Sequence, residues 1–360
     1  MKIKVMLLGP STSAVSGVST HLNQLFHSSL AGDHRLLHFQ VGSEGRNESR
    51  LHKLARFAFS PLQFGAALLR HRPAIVHVNT SMEQKSYWRD VVYLLIAKGL
   101  GRRVLYQVHG GALPQQFFGG RPLLTWWLRR VLRLADAVVL LAQCELQAYR
   151  AFDPALALAV IPNAIEPGRD PLDKQPPAAG PLALVYVGRL ARSKGVFELI
   201  EAIALGTAGG ADWQLVLAGG GPDEGALRAR VAALGLAQRV RFAGPVFGPD
   251  KDLLWQQADV FGFPTHHEGL PYALLESMAA RTVPLACAVG AIPDVMQDGV
   301  HGLFIPINDP AALAAAIGRL DQDRALLRQM AAAGRRRVEQ HYTVERLAQD
   351  LRLAYRRLQA

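Results

Sequence analysis

Short apolar runs alternate with longer helix-like segments along nearly the whole chain, and this alternation limits the fold more than any other feature. Many of the runs end in Gly, Asn or His, residues that commonly follow a strand. The predicted strand ends are Gly9, Val78, Val108, Leu141, Ile161, Val187, Leu217, Phe242, Phe263 and Leu285. Strands that alternate with helices form parallel sheets covered by helices on both faces. The sequence therefore predicts an α/β fold with doubly wound parallel sheets.

The length of 360 residues suits two domains, each with its own core. Residues 166–181 are polar and rich in proline and glycine, while the segments on either side resemble strands. We place a linker there, between an N-terminal domain at residues 1–165 and a second domain at residues 182–342. Residues 343–360 have apolar side chains at helical spacing and are predicted to form a capping or crossover helix.

The net charge of +11 belongs entirely to the first half of the chain. Residues 1–165 contain 19 Lys and Arg against 8 Asp and Glu, whereas residues 166–360 contain 21 of each. Several neighbouring cations attract an anionic membrane surface, an acidic acceptor or nucleic acid. The two halves are therefore expected to meet different partners, and charge alone does not choose among these three.

The composition points to a folded protein, since half of the residues are hydrophobic. The chain starts with a strand-like pattern and shows no secretory signal, so we expect a cytoplasmic protein. Apolar runs such as residues 91–97 and 137–142 are far shorter than the ~20 residues of a membrane-spanning helix, so none is predicted. Cys144 and Cys287 lie in apolar sequence without metal-binding spacing, and buried, inert thiols are expected.

The loop after the predicted strand that ends at Val187 contains an arginine and a lysine between glycines. It runs from Gly188 and Arg189 to Lys194 and Gly195. In doubly wound domains, ligands bind beyond the carboxyl ends of the strands. A planar guanidinium and a compact ammonium group can together neutralise a diphosphate leaving group. An ordinary solvated basic loop is the alternative, but the Gly-Arg-x4-Lys-Gly frame at a strand end favours function.

Two carboxylates, Glu268 and Glu276, are separated by seven residues. Glu268 lies in a loop with glycine and proline, and Glu276 lies about one and a half turns into a helix that begins near Pro271. A carboxylate among apolar neighbours needs a hydrogen-bond partner, and a diol such as ribose offers two donors. One carboxylate can face a sugar while the other reaches a ribose. The alternative for Glu276 is an ion pair with a nearby arginine such as Arg281.

Two further positions follow predicted strands in the first half. His109 comes after a buried run and before two glycines, so its imidazole is expected to project from a strand end into a cleft. A structural histidine is the alternative, and His77 and Asn79 have a similar placement with weaker support. Gly17 lies between the first strand and a helix, where backbone N–H groups can approach a phosphate, although any tight turn also needs a glycine.

Two Asp-x-Asp sequences, Asp250 to Asp252 and Asp321 to Asp323, invite a metal-binding interpretation. The first precedes an amphipathic helix, where acidic caps are common, and the second lies in a helical, surface-like segment. Neither follows a buried strand. The sequence therefore predicts no metal site.

Together these elements resemble the family 4 retaining glycosyltransferases of the GT-B fold, in which two Rossmann-like domains face each other across a cleft. The resemblance covers nearly the whole chain and implies that the last helix crosses back to the N-terminal domain. It rests on the Glu-x7-Glu motif of Glu268 and Glu276, the loop from Gly188 to Gly195, the sequence IPNA at 161–164 and the sequence LAGGGP at 217–222.

The resemblance implies a role for each candidate residue. Glu276 would bind the nucleotide ribose, Arg189 and Lys194 the diphosphate, and Glu268 the hydroxyls of the donor sugar. His109 would contact the sugar from the acceptor side, so that His109, Arg189, Lys194 and Glu268 form the implied catalytic set. The other implied donor-binding residues are Gly17 near the donor phosphate, Gly244 and Phe247 with backbone around the base, and Gly188, Gly269, Leu270, Pro271 and Leu274 in the same motifs.

The implied reaction is metal-independent hexosyl transfer with retention, with a UDP- or GDP-hexose as donor substrate and no cofactor. The chain departs from the family pattern at Ser16, where a glycine often precedes Gly17, and at Ala291 and Asp294, where glycine and glutamate are usual. These substitutions remove no charged role, but they leave the donor geometry open.

In this fold the N-terminal domain receives the acceptor, which gives the basic half a specific meaning. Aromatic residues and arginines are interleaved there, as they are where a protein surface meets a bilayer. Any one of these aromatics is better explained as core. Collectively they favour peripheral attachment to the inner membrane and a lipid-diphosphate-linked saccharide acceptor in surface polysaccharide synthesis, such as exopolysaccharide or lipopolysaccharide. The residues are Phe57, Phe59, Phe64, Phe117, Phe118, Trp126 and Trp127, with Arg56, Arg70, Arg72, Arg121, Arg129, Arg130 and Arg133.

Three other functions compete with this interpretation. A nucleotide-sugar 2-epimerase shares the fold but needs no basic acceptor face. A nucleotide-sugar-binding or scaffold protein without turnover would not need the full set of candidate residues. Nucleic-acid binding would explain the charge but neither carboxylate, so no nucleic-acid partner is predicted.

Overall fold

The computed structural model describes residues 2–46, 48–171, 174 and 180–359, without the side chains of Arg50 and Leu54. The chain divides into two compact units, Met1–Ala164 with Val344–Ala360, and Ile165–Thr343. The predicted linker at 166–181 is only partly described, because residues 172, 173 and 175–179, which include Pro176 and Pro177, lie outside the described ranges.

The first unit is built on a six-stranded parallel sheet with the order β2-β1-β3-β4-β5-β6. The strands are β1 (Ile3–Gly9), β2 (His34–Gln40), β3 (Ile75–Met82), β4 (Arg103–Gly111), β5 (Ala137–Leu140) and β6 (Leu158–Val160). Strands covered on both faces are expected to be largely apolar, and the inner strands β1 and β5 are, whereas β3 and β4 also carry buried polar residues such as His77 and Gln107.

Helices cover both faces of this sheet and form two separate cores. Alternate residues of one strand serve the two cores: Met6 and Leu8 pack with the helices α3 to α6, and Val5 and Leu7 pack with α1, α2 and α14. The helices are α1 (Gly17–His27), α2 (Ser29–Asp33), α3 (Arg50–His71), α4 (Gln84–Gly99), α5 (Pro122–Leu134), α6 (Gln143–Phe152) and, from the end of the chain, α14 (Val344–Arg357).

The last helix packs on the first unit, as predicted. Leu347, Leu351 and Tyr355 of α14 lie in the same core as β1. The Tyr355 hydroxyl is 2.8 Å from Nδ1 of the buried His77, and Arg352 pairs with Asp33 at the end of α2 at 2.7 Å. Residues almost 280 positions apart therefore share one polar network beneath the sheet.

The second unit repeats the architecture with the sheet order β12-β11-β10-β7-β8-β9, again all parallel. Its strands are β7 (Leu182–Val187), β8 (Trp213–Ala218), β9 (Val240–Gly244), β10 (Val260–Phe263), β11 (Val283–Ala286) and β12 (Leu303–Phe304). Its helices are α7 (Val196–Ala208), α8 (Glu224–Ala233), α9 (Gly248–Gln257), α10 (Tyr272–Ala279), α11 (Ile292–Val295), α12 (Pro310–Gln322) and α13 (Arg324–His341), and residues Arg192–Lys194 form a 3₁₀ turn.

Each sheet contains one place where the strand order reverses. In the first unit it lies between β1 and β3, and in the second between β7 and β10. Loops that leave two neighbouring strands toward opposite faces open a crevice at their carboxyl ends, and ligands of doubly wound sheets bind there. These two switch points are where functional residues are expected.

Several local predictions differ from the structure. The strand β3 continues four residues past the predicted end Val78, and β4 continues three residues past Val108, so His109 lies inside β4 and not after it. Two strands were missed, because β2 is rich in polar residues and β12 has only two residues. Asp250 and Asp252 lie within α9, whose first residue is Gly248, and do not precede it.

The two cysteines also differ from each other. Cys287 is buried as expected, and burial raises the pKa of its thiol to about 11. Cys144 is exposed, so the expectation of a buried thiol was wrong there, because the first turn of α6 faces solvent at this position. Among the described residues, no helix is long and apolar enough to cross a bilayer, and no three His, Cys, Asp or Glu residues are grouped so as to hold a metal ion.

Candidate functional site

The switch point of the second unit brings together a lysine and a glutamate from two different loops. Lys194 ends the 3₁₀ turn after β7, and Glu268 lies in the loop after β10. Lys194 Nζ is 2.5 Å from Glu268 Oε1 and also donates to the backbone oxygen of His267 at 3.2 Å. Residues 74 positions apart in sequence thus meet at the carboxyl ends of adjacent strands.

A buried hydroxyl binds the same oxygen of this carboxylate. Thr265, which is fully buried, donates its Oγ1–H to Glu268 Oε1 at 3.0 Å. The Glu268 side chain is 13% exposed and that of Lys194 is 26% exposed, so the pair is largely shielded from solvent. The two contacts fix the carboxylate against the loop while the edge of the pair remains accessible.

Two glycines allow the loops to approach this closely. Gly195 has φ +68°, and a Cβ there would lie 1.9 Å from the backbone oxygen of Pro264. Gly290 has φ +56°, and a Cβ there would lie 1.9 Å from the backbone oxygen of Glu268. Any side chain at either position would displace the loop that carries Glu268. The backbone N–H of Ala291 also donates to the Gly269 oxygen at 3.1 Å, which ties the loop that carries Glu268 to the segment after β11.

Glu276 projects from α10, which starts directly after Pro271, and both of its oxygens are bound by α9. Oε1 accepts from Lys251 Nζ at 2.7 Å, and Oε2 accepts from the indole N–H of the buried Trp255 at 3.3 Å. The ion pair with Arg281, considered from the sequence, is not formed, because Arg281 binds Asp170 at 2.7 Å. The Glu276 side chain is 20% exposed, so a ligand can still reach it.

The remaining candidates of this unit surround these two carboxylates with different degrees of access. Arg189 is exposed two residues after β7, and its backbone oxygen accepts from the Tyr186 hydroxyl at 2.7 Å. Gly188 is packed so closely that a Cβ would lie 2.9 Å from that hydroxyl. The exposed guanidinium of Arg189 is therefore carried by a backbone that is held firmly in place.

Three apolar candidates differ in what they can offer a ligand. Phe247 precedes α9 and is 56% exposed, close in sequence to Gly244, which ends β9 with φ +71°. Leu270 and Leu274 are buried. Their side chains belong to the core, so only their backbone groups are available for binding.

The switch point of the first unit holds a cluster of three histidines. The ring centroids of His21 and His109 are 4.7 Å apart, and those of His21 and His77 are 6.4 Å apart. The Asn79 amide donates to the Leu8 backbone oxygen at 3.1 Å, so its Oδ1 accepts from His109 Nε2 at 2.9 Å. His77 Nε2 bonds the Gln107 side-chain oxygen at 2.9 Å. The structure thus joins His109 directly to Asn79, whereas His77 is linked to it through the ring of His21.

These histidines are uncharged at neutral pH. Burial lowers the pKa of His77 to about 4. Burial, with His77 nearby, lowers the pKa of His109 to about 3, and a hydrogen bond with Asn163 opposes this shift only in part. Burial and the two neighbouring histidines also lower the pKa of His21 well below its usual value. The cluster offers polar atoms without charge.

A cavity of about 720 Å³ opens at the same switch point. Pro10 after β1 and Asn79 to Ser81 of β3 line one side, and residues of α3 and α4, among them Phe57 and Trp88, line the other. Gly17, which lies outside this lining, is the exposed first residue of α1, after Ser16, whose hydroxyl accepts from the Ser19 N–H at 3.3 Å. Asn79 connects His109 to the cavity.

Sequence reasoning missed the residues that hold the candidate groups in place. Thr265 gives no signal beyond its place after a strand. Lys251 and Trp255 are four residues apart on one helix, a spacing that puts a cation and an indole on the same face and could have been noticed. His21 lies in an amphipathic helix and becomes significant only once the fold places it beside His77 and His109.

Two protein-family models match the chain in consecutive parts. Residues 23–164 match the glycosyl transferase 4-like domain, and residues 169–337 match the glycosyl transferases group 1. Both matches fall within the compact units described above, and together they include every candidate residue except Gly17.

Three curated relatives illustrate the similarity. The α-maltose-1-phosphate synthase of Mycolicibacterium smegmatis is 30% identical over 278 residues, covering 68% of this chain and 69% of the relative. The amylovoran biosynthesis glycosyltransferase AmsK of Erwinia amylovora is 28% identical over 327 residues, covering 87% and 76%. The D-inositol 3-phosphate glycosyltransferase of Salinispora tropica is 33% identical over 177 residues, covering 47% of this chain but only 36% of the relative.

Solved structures support the fold. Sucrose-phosphate synthase from Thermosynechococcus elongatus superposes with a TM-score of 0.78 at 22% identity and covers 99% of both chains. Anabaena HepE in complex with UDP-glucose superposes with a TM-score of 0.77 at 19% identity and covers 98% of this chain and 99% of the other. Given both domain matches and these relatives, the chain belongs to the glycosyl transferases of group 1 with a 4-like domain, and it is a transferase of the GT-B fold.

Proposed function

We propose that this enzyme transfers a hexose from a UDP- or GDP-hexose to a saccharide acceptor carried on a lipid diphosphate, without a metal ion and with retention of the anomeric configuration. The observation that carries the proposal is the pair formed by Lys194 and Glu268 at the switch point of the second unit. This pair sets a cation and a carboxylate side by side, and a nucleotide sugar presents a diphosphate next to a polyhydroxyl ring.

The donor site follows from the charges. Lys194 and the exposed Arg189 would bind the diphosphate, whose charge increases as its bond to the sugar breaks. Glu268, kept in place by Thr265, would accept hydrogen bonds from the sugar hydroxyls. Glu276 would accept from the ribose diol, while Lys251 and Trp255 keep its carboxylate oriented.

In the proposed reaction the bond between the sugar C1 and the diphosphate oxygen breaks, and a bond between C1 and the acceptor oxygen forms on the same face. The acceptor proton moves to the departing diphosphate oxygen, so no protein group needs to remove it. Lys194 stabilises the leaving group throughout this step. The chemistry therefore needs cations at the diphosphate and an uncharged surround at the acceptor.

We assign the acceptor to the cavity of the first unit. The uncharged His109, bonded to Asn79, suits a neutral sugar hydroxyl, since a neutral imidazole can exchange hydrogen bonds without attracting phosphate. The first half of the chain carries the whole positive excess, which suits an acceptor with a diphosphate. The similarity to AmsK, a glycosyltransferase of amylovoran biosynthesis, supports a role in surface polysaccharide synthesis, and the complex of HepE with UDP-glucose supports a UDP-sugar donor.

The same charge excess supports a place at the cytoplasmic face of the inner membrane, with peripheral attachment. Lipid-linked saccharides reside in a bilayer, so an enzyme that uses them must work at its surface. Anionic headgroups attract basic residues within a Debye length of the membrane.

The first test is thermal stabilisation by a panel of UDP-, GDP-, ADP- and dTDP-sugars in EDTA, since a ligand that binds only the folded state raises the melting midpoint. We expect a shift with one nucleotide family. Glu276→Ala should weaken the apparent affinity roughly 10- to 100-fold, the effect of losing hydrogen bonds to a charged group. The control is Glu345→Ala, an exposed glutamate on α14. Equal shifts in Glu276→Ala and wild type would refute the ribose assignment.

The products separate the competing functions. Retention predicts that the new linkage has the anomeric configuration of the donor, which NMR of the product reads directly. An epimerase would instead return a donor altered at C2 without any acceptor, and a scaffold would bind the nucleotide sugar without consuming it.

A further inference from the structure

Three neighbouring helices of the first unit expose most of the large apolar side chains on the molecular surface. The helices α3, α4 and α5, here called the basic helix layer, cover one face of the first sheet. Eleven of the eighteen exposed large hydrophobic residues found among the described residues belong to them. These residues are Leu51, Phe57, Phe59, Leu62 and Leu69 of α3, Trp88, Val92 and Leu95 of α4, and Leu123, Trp126 and Leu134 of α5.

The first half of α3 buries none of its described side chains. From Leu51 to Phe59, none of the described side chains is buried, and the first buried residue is Ser60. Phe57 is 71% exposed, although a phenylalanine is normally placed in a core. A helix segment that is apolar and basic but leaves its described side chains unburied indicates a binding partner outside this chain.

The basic helix layer also contains most of the net positive charge. Its three helices hold ten Lys and Arg and one acidic residue, Asp90. Asp90 is fully buried and bound by Arg89 at 2.7 Å, so it compensates the charge of that arginine alone. The layer therefore accounts for +9 of the net charge of +11.

Cations and aromatic rings are mixed on this surface. The guanidinium of Arg130 lies 5.3 Å from the ring centroid of the exposed Trp126 on α5. A soluble polyanion would explain the cations but not the exposed aromatic rings. A protein partner would explain the rings but not so uniform a charge. Rings at the level of lipid headgroups, next to arginine and lysine, satisfy both observations.

We propose that the basic helix layer is the surface by which this protein docks on an anionic bilayer, with its apolar side chains in the headgroup region. This proposal names the surface that would bind the membrane, and it rests on the proposed function for the reason why the protein would dock there. Phe57, Trp88 and Val92 line the cavity of the first unit and are also exposed on this layer. A lipid-linked acceptor in the docked bilayer would enter that cavity along these side chains.

The experiment measures co-sedimentation of the full chain with vesicles of phosphatidylcholine alone or mixed with phosphatidylglycerol. One variant combines Phe59→Ala, Leu62→Ala, Leu123→Ala and Trp126→Ala, which are exposed and lie outside the cavity. Its control combines Leu205→Ala, Val300→Ala, Ile307→Ala and Leu353→Ala, which are exposed elsewhere. A second variant combines Lys53→Glu, Arg70→Glu and Arg130→Glu, with Arg319→Glu, Arg328→Glu and Arg336→Glu as the control of equal charge change.

We expect the wild type to sediment with the anionic vesicles only. The apolar variant should bind them at least about 10-fold more weakly, because its buried apolar area is lost. The charge variant should bind at least about 100-fold more weakly, because each of the three lysines or arginines near the surface contributes roughly fivefold. Both control variants should sediment like the wild type.

Two results would overturn the proposal. The first is equal vesicle binding by the wild type and the apolar variant. If the apolar variant also binds heparin as the wild type does, the layer is a surface for soluble polyanions. The second is an equal loss of vesicle binding in the layer variants and in their controls. That result would mean that overall charge or hydrophobicity, and not this surface, determines binding. Donor-induced thermal stabilisation of each variant is measured in parallel. If it persists while docking fails, the donor site stands without the docking surface.

Discussion

The two switch points have the same position in two sheets of similar topology, yet their chemistry is opposite. In the second unit, the loops after β7 and β10 bring Lys194 and Glu268 into an ion pair. In the first unit, the strands β3 and β4 carry His77 and His109, whose pKa values are lowered so far that both are neutral. A charged site suits a diphosphate and a neutral one suits hydroxyl groups.

The difference teaches that the fold provides only the location of a site. Side chains at loop and strand ends decide what binds there. Burial has different effects at the two sites. Lys194 and Glu268 are partly shielded from solvent, and each is the counter-ion of the other. The histidines have no counter-ion beside them in the described part of the chain, so burial favours their neutral form. Predictions that separate these two situations test the division of labour between the units.

The largest effect is expected at the charged site. Lys194→Ala removes the ammonium group that would stabilise the departing diphosphate and also leaves Glu268 without its counter-ion. Loss of one such donor typically costs about 10²- to 10³-fold in kcat. Steady-state rates of donor consumption measure this, with the melting midpoint as a check on folding. The exposed Lys2→Ala is the control, and unchanged turnover in Lys194→Ala would remove this residue from the reaction.

The neutral site predicts a loss of stability in acid. A histidine whose folded pKa is depressed binds its proton more readily in the unfolded chain, so stability is complete above the unfolded pKa of about 6.5 and is lost below it. For His77, with a folded pKa of about 4, the loss is about 2 kcal/mol at pH 5. Urea unfolding of the wild type and of His77→Gln between pH 7 and pH 5 measures it.

The variant should show a shallower dependence of the free energy of unfolding on pH than the wild type, because it lacks the titrating imidazole. Hydrogen exchange should localise the loss to the first unit, where His77 bonds Tyr355 of the last helix. An identical slope in both proteins would mean that His77 is not the group that responds to acid.

Much of the fold was predictable, because a buried parallel strand leaves an apolar run that is visible in the sequence. The strand β2 escaped notice since its sequence HRLLHFQ mixes polar and apolar residues at the edge of the sheet. The extent of β3 and β4 was also underestimated, because the polar Asn79 and His109 were taken as the first residues after each strand. In the structure their polar side chains are satisfied by each other inside the sheet.

The candidate site was predictable where the chemistry is local. The loop from Gly188 to Gly195 and the spacing of Glu268 and Glu276 are visible in one short segment each. The ion pairs are not, because Lys251 reaches Glu276 across 25 residues and Lys194 reaches Glu268 across 74. Only the sheet order places those residues together, and Arg281, the sequence neighbour considered as an alternative partner for Glu276, binds Asp170 instead.

A moderate effect is expected when the neutral site loses its imidazole. His109→Ala would remove one neutral hydrogen-bond partner of the proposed acceptor, and it removes the bond to Asn79, so about a 10-fold lower kcat/KM for the acceptor is expected. The donor-induced shift of the melting midpoint should be unchanged, since the donor is proposed to bind the other unit. A lower donor affinity with normal acceptor kinetics would reverse the assignment of the two sites.

The smallest effect is expected from the residue that only orients the charged site. Thr265→Val keeps the shape of the side chain and removes the hydroxyl that donates to Glu268 at 3.0 Å. Because Lys194 still holds the same carboxylate oxygen, donor affinity should fall only about three- to tenfold, the worth of one hydrogen bond. Thr265→Ser restores the hydroxyl and should restore affinity, as measured by titration with the nucleotide sugar. If valine binds the nucleotide sugar like the wild type and serine binds it more weakly, packing of the buried methyl group positions the loop, and the orientation of Glu268 comes from Lys194 and Gly290 alone.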